Sequence, residues 1–154
     1  MMNSVMICFC LFLAVLVMAT EAVNSDAMMP RWQQLVMLAE DQTADMQLSK
    51  ALASYRAAKD GDMPLDARYT TQLSMAILLR RLGFPRRAEL VLYEATSLRS
   101  QPYEANLQLA LLALDREDLR EAKMHFKNCL YYRATDVNVL VYLSTVLVAE
   151  GRSN

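Results

Sequence analysis

Two alanines, Ala76 and Ala88, return 34 positions later as Ala110 and Ala122, and the first of them returns once more as Ser144. A fixed period of that length, held in phase for more than two units, restricts the chain to a repeat architecture. Each unit is then one supersecondary element that buries its apolar side only against its neighbours. Gly83 keeps the same step to Gly151, with Glu117 in the slot between them. Only 3 Gly and 4 Pro occur in 154 residues, while Ala, Leu, Met, Arg and Glu are plentiful. That balance suits helix interiors and leaves too few turn signals for a sheet protein, so the class is all-α.

Other small residues keep the same phase. Ala39 stands before Ala51-Tyr55-Ala58 as Ala76 stands before Ala88-Leu92-Ala95 and Ala110 before Ala122-Phe126-Cys129. From Trp32 to Asn154 the chain resembles a tetratricopeptide-repeat protein, in which the first helix of each repeat packs a small residue and the second presents a small residue, an aromatic and another small residue. The resemblance implies a right-handed α-solenoid of stacked antiparallel helix pairs. Its repeats fall at 32–68, 69–102 and 103–136, and a half repeat occupies 137–154. The first repeat is longer than the period, and the excess falls at Gly61-Asp62-Met63-Pro64, a turn-forming loop. Three slots depart from the family pattern: Leu92 where an aromatic is common, Glu117 where Gly is common, and no Pro at the end of the third repeat.

Close approach explains the small residues, because helix axes about 8–10 Å apart leave room only for Ala or Gly where they cross. Pro85, just after Gly83-Phe84, suits the first turn of a second helix, where its missing N–H has no helical partner in any case.

Val5 to Met18 is an uninterrupted apolar run followed by Ala19-Thr20-Glu21-Ala22. Its length fits the core of a secretory signal peptide better than the roughly 20 residues needed to span a bilayer. No Lys or Arg precedes it, so residues 1–22 are read as an N-terminal hydrophobic helix, either a signal peptide or a short membrane anchor, with 23–31 as a linker. Cleavage sends the repeats to the secretory pathway, the cell exterior or a periplasm; retention makes a single-pass membrane protein. Cys8 and Cys10 lie inside this run, which leaves Cys129 alone beyond it and excludes an internal disulfide framework there.

Catalytic chemistry finds no foothold in these residues. His125 is the only histidine, read as a surface or partly packed side chain, and a triad or two-histidine metal site has no partners for it. Gly61, Gly83 and Gly151 are scattered, so no Gly-rich phosphate loop exists. The net charge of −1 supplies no basic field for a phosphate backbone, and nucleic acid is not an expected partner. No enzyme activity, metal or cofactor is expected. Arg80-Arg81 and Arg86-Arg87 flank one turn, and one period on Asp115 answers Arg81 while Glu121 answers Arg87, which reads as charge pairing between stacked repeats.

The family's groove positions fall on Val36 and Glu40, then Leu73, Ile77 and Arg80, then Leu107, Leu111 and Leu114, and finally Val141, Thr145 and Val148. Related co-chaperones hold a peptide's terminal carboxylates with Lys, Arg and Asn at several of these slots, and apart from Arg80 those residues are absent. An apolar segment or amphipathic helix is the expected guest. The last helix, VNVLVYLSTVLVAE, lacks the polar outer face with which repeat arrays end. A partner, another copy of the chain or a membrane covers it, or the chain continues in a longer form. The reading is a non-catalytic protein-binding scaffold; the alternatives are a membrane-anchored assembly subunit and a truncated repeat module of a larger enzyme.

Overall fold

The computed structural model describes residues 29–153, so the apolar run Val5–Met18 and its signal-or-anchor reading lie outside the described residues. Among the described residues seven helices follow one another: α1 (Arg31–Ala44), α2 (Leu48–Lys59), α3 (Leu65–Arg81), α4 (Pro85–Thr96), α5 (Tyr103–Asp115), α6 (Leu119–Tyr132) and α7 (Val137–Ser153). Among the described residues there is no strand, and no helix is long and apolar enough to cross a membrane. The helices form three hairpins, α1/α2, α3/α4 and α5/α6, stacked through α2 on α3 and α4 on α5, with α7 packed on α6.

Each hairpin turns in the same way. Met46, Gly83 and Glu117 all have positive φ, at 60°, 81° and 60°. In each case the next residue's N–H reaches back to a carbonyl in the last turn of the first helix: Gln47 to Gln42, Phe84 to Leu79 and Asp118 to Ala113, at 2.8, 2.8 and 2.9 Å. A left-handed residue with this back-bond is the Schellman ending, which satisfies the otherwise orphaned carbonyls of a helix C-terminus. Pro85 then sits in the first turn of α4, and Asp118 caps α6 by accepting from the Glu121 N–H at 3.0 Å.

The small residues stand at the helix crossings. Ala39, Ala51, Ala76, Ala88, Ala110 and Ala122 are all buried, and Tyr55, Leu92 and Phe126 are buried beside them. Leu92 fills the aromatic slot without leaving the core. The extra residues of the first repeat form the loop after α2, where Met63 is buried and its sulfur accepts from the Thr71 hydroxyl at 3.5 Å.

A second device fixes how one hairpin sits on the next. Tyr69, early in α3, donates its hydroxyl to Glu104 at 3.1 Å and accepts the Ala105 N–H at 3.2 Å. One period on, Tyr103 donates to Asp136 just before α7. Arg99 lies over the Tyr69 ring at 4.5 Å and Arg133 over the Tyr103 ring at 4.0 Å, again 34 residues apart. Burial and the carboxylate beside it push the Tyr103 hydroxyl up to about 12, which keeps it a hydrogen-bond donor.

Candidate functional site

The groove positions line up by register on successive first helices. Val36, Leu73, Leu107 and Val141 share one position of α1, α3, α5 and α7; Glu40, Ile77, Leu111 and Thr145 share a second; Arg80, Leu114 and Val148 share a third. Their exposure differs in a way the sequence does not state. Val36 and Leu73 are half-buried against one core cluster, and Leu107, Leu111 and Leu114 against the other. Glu40, Ile77, Val141, Thr145 and Val148 are exposed. The row therefore presents aliphatic edges on α5, the exposed Ile77 beside half-buried Leu73 on α3, and whole side chains on α7.

Charge pairing departs from the expected partners. Asp115 pairs with Arg80 at 3.4 Å, not with Arg81. Glu121 pairs with Arg116 at 2.6 Å and accepts from the Tyr93 hydroxyl at 3.1 Å, not from Arg87. For Asp115 the reason is helical geometry: a shift of one period conserves position along the helix, but the crossing between adjacent hairpins brings Arg80 rather than its neighbour Arg81 to the carboxylate, whereas Glu121 is taken by Arg116 of the turn that precedes its own helix. Arg81 instead rests its guanidinium 3.6 Å from the Met46 sulfur, and Arg87 lies over the Phe84 ring at 5.3 Å. The cleft of about 370 Å³ between Arg99 and Arg133 is lined by charges already paired, Arg99 with Asp66 and Arg133 with Glu104.

His125 is buried, more deeply than the surface or partly packed side chain expected. The Asn106 amide donates to the Pro102 carbonyl at 2.9 Å, which fixes its oxygen toward His125 Nδ1 at 3.1 Å. Nδ1 therefore carries the proton. Nε2 is buried without a hydrogen-bond partner and lies 3.9 Å from Glu121 Oε1. Burial holds the imidazole below its ordinary pKa against the pull of Glu121 and Glu89. Gln72, one period before Asn106, is buried as well and donates to Glu94 at 3.0 Å. Glu94 also receives Lys59 at 2.6 Å, which ties α2, α3 and α4 together. Inward polar residues recurring one period apart were the available sign of this layer.

Cys129 is buried between hairpin helices, and burial pushes its thiol up to about 12, so it is a packing residue without thiolate character at neutral pH. Among the described residues no group of three His, Cys, Asp or Glu side chains is placed to hold a metal ion.

Stacked helix hairpins with a row of first-helix side chains define a helical-repeat protein of the kind that presents an extended surface, and solved structures specify the repeat. The first tetratricopeptide-repeat domain of Spaghetti (RPAP3), bound to the HSP90 peptide SRMEEVD, superposes with a TM-score of 0.70 at 17% identity, over 79% of this chain and 94% of that one. The C-terminal tetratricopeptide-repeat-containing domain of a Plasmodium falciparum FK506-binding protein matches with a TM-score of 0.62 at 12% identity, over 80% and 92%. The fold is that of a tetratricopeptide-repeat domain. No protein-family model matches the sequence, and no curated protein matches it.

Proposed function

We propose that the chain is a non-catalytic interaction scaffold that takes a segment of a protein partner along the concave face of its first helices. The observation that carries this reading is the register of Val36, Leu73, Leu107 and Val141: one aliphatic side chain at the same position of every first helix. Such a row offers a partner apolar contact at each step of the array, on the kind of extended surface that stacked repeats use for binding. RPAP3's domain holds an acidic HSP90 peptide. Here Val36 and Glu40 stand in the first repeat, and Arg80, the one cation in the row, is already paired with Asp115. An apolar segment or amphipathic helix is therefore the proposed guest.

Fluorescence anisotropy with two labelled peptides tests this. An amphipathic helix bearing Leu at i, i+3, i+4 and i+7 is expected to bind, and Ile77→Asp is expected to weaken it at least tenfold. Tighter binding of the acidic peptide SRMEEVD than of the amphipathic helix would reject the proposed chemistry.

A second reading, favoured by the apolar run Val5–Met18, is a scaffold held at a membrane by a retained leader. N-terminal sequencing of soluble and membrane fractions separates the two: a start near Val23 supports release, and an intact Met1 in the membrane fraction supports the anchored form.

A further inference from the structure

The face that α6 covers on α5 is bare on α7. On α5, Tyr103 and Ala110 are 5% and 0% exposed, in one core cluster with Ala122, Phe126 and Cys129 of α6. Their equivalents one period on are Val137, 68% exposed, and Ser144, also exposed. Leu140 and Leu147, equivalent to the buried Asn106 and Ala113 of α5, lie on the same face at 44% and 46%, and Val141 and Val148, equivalent to Leu107 and Leu114, border it at 56% and 55%. Only the opposite side of α7, through Val139, Leu143 and Val146, reaches the core. A shallow groove of about 320 Å³ runs along the bare side, lined by Ser144, Thr145, Val148 and Ala149.

Three features fit this face for dry burial. It carries no charge between Asp136 and Glu150. Those two flanking carboxylates are engaged within the protomer, Asp136 by the Tyr103 hydroxyl and Glu150 by Lys123 at 2.6 Å. The hydroxyls are engaged too: Ser144 donates to the Val141 carbonyl at 2.8 Å and Thr145 to the Tyr142 carbonyl at 2.7 Å. Covering them strands no buried donor.

The face is also self-complementary. Ser144 and Thr145 lie at its middle, with Val141 before them and Val148 after them at matching distances. A two-fold axis passing between Ser144 and Thr145 brings an antiparallel second α7 into register. Val141 then meets Val148 of the other copy, and small residues meet at the crossing, where helix axes need to approach closely. The opposed helix dipoles favour the same orientation.

We propose that α7 is a homodimer interface, two copies packing α7 against α7 in antiparallel fashion about Ser144 and Thr145. The apolar area offered by both copies is on the order of 1,000 Å², at the lower edge of specific interfaces, which places the dimer in the weak, concentration-dependent class. Val141, Thr145 and Val148 also stand in the first-helix row, so the dimer covers the α7 end of that row and leaves its α1, α3 and α5 members open.

The test is sedimentation velocity of the full chain over a concentration series, with Val148→Glu and Ser144→Cys as variants. Wild type is expected to shift from monomer to dimer in the micromolar range. Val148→Glu, at an exposed position, is expected to keep the helical circular dichroism spectrum and to weaken dimerisation at least 100-fold. Ser144→Cys under mild oxidation is expected to give a disulfide-linked dimer that the unsubstituted chain and Leu90→Cys do not give. A wild-type monomer up to about 100 μM overturns the proposal, as does a dimer unaffected by Val148→Glu. Vesicle binding by a monomeric wild type that Val148→Glu abolishes also overturns it, in favour of a lipid surface.

Discussion

Glu117 holds the same left-handed backbone that Gly83 holds one 34-residue period earlier, φ 60° against 81°, and both close a Schellman turn. Only the glycine does so without steric penalty, since a Cβ in this region crowds the backbone. Nothing lies within 4 Å of a Cβ added at Gly83, so Gly83→Ala tests backbone strain alone. Glu117→Gly is expected to stabilise the fold by about 0.5–1 kcal/mol and Gly83→Ala to destabilise it by a similar amount. Urea unfolding midpoints check both, and equal midpoints for Glu117→Gly and wild type would refute the strain argument.

The buried alanines make a prediction of opposite kind. Ala110 and Ala122 are fully buried in the core cluster shared by α5 and α6. Ala110→Leu adds volume where the axes cross and is expected to destabilise by about 1–3 kcal/mol, although leucine is an excellent helix former. The same change at exposed Ala53 of α2 is expected to shift the thermal midpoint little. A neutral Ala110→Leu would mean that the pair is not close-packed at this point.

Much of this architecture is legible from period alone. The alanine positions, the insertion after α2 and the uncovered last helix all follow from counting in steps of 34, because the period records which residues meet the neighbouring unit. Pair partners are not legible in that way. Asp115 takes Arg80 and not Arg81 because the choice depends on rotation about the helix axis, where adjacent residues differ by about 100°. The burial of His125 was hidden for a related reason: its polarity suggests surface, and only the Asn106 oxygen opposite it makes the core position tenable.

That oxygen gives a third prediction. Asn106→Ala removes the acceptor for His125 Nδ1 and the donor to the Pro102 carbonyl, both buried, and is expected to destabilise by about 2 kcal/mol or more. Gln72→Ala, one period earlier, is expected to lose less, because its partner Glu94 is more than half exposed and water replaces the bond. In a double-mutant cycle Asn106 and His125 are expected to couple by more than 0.5 kcal/mol. Additive effects would show that the contact contributes nothing.

The same ring makes stability depend on pH in a defined direction. Glu121 from its own helix, Glu89 and Tyr93 from α4, Arg116 from the α5–α6 turn and Asn106 from α5 surround His125, and burial outweighs the two carboxylates in keeping it neutral. Its folded pKa lies below the ordinary value of 6.5. Well above that value the ring is neutral in both folded and unfolded chains and contributes no pH dependence. As the pH falls below about 6.5 the unfolded chain takes up the proton first, so stability is lost progressively down to the folded pKa. Asp136, lowered chiefly by the Tyr103 hydroxyl, loses its contribution in the same direction but in the separate window below its ordinary 3.8. Urea midpoints between pH 7.5 and 4.5 are therefore expected to fall for wild type and to stay nearly level for His125→Asn, whose amide keeps a donor toward Asn106 without titrating. If both chains lose stability equally over that range, the loss belongs to other groups, and the buried neutral imidazole is not its source.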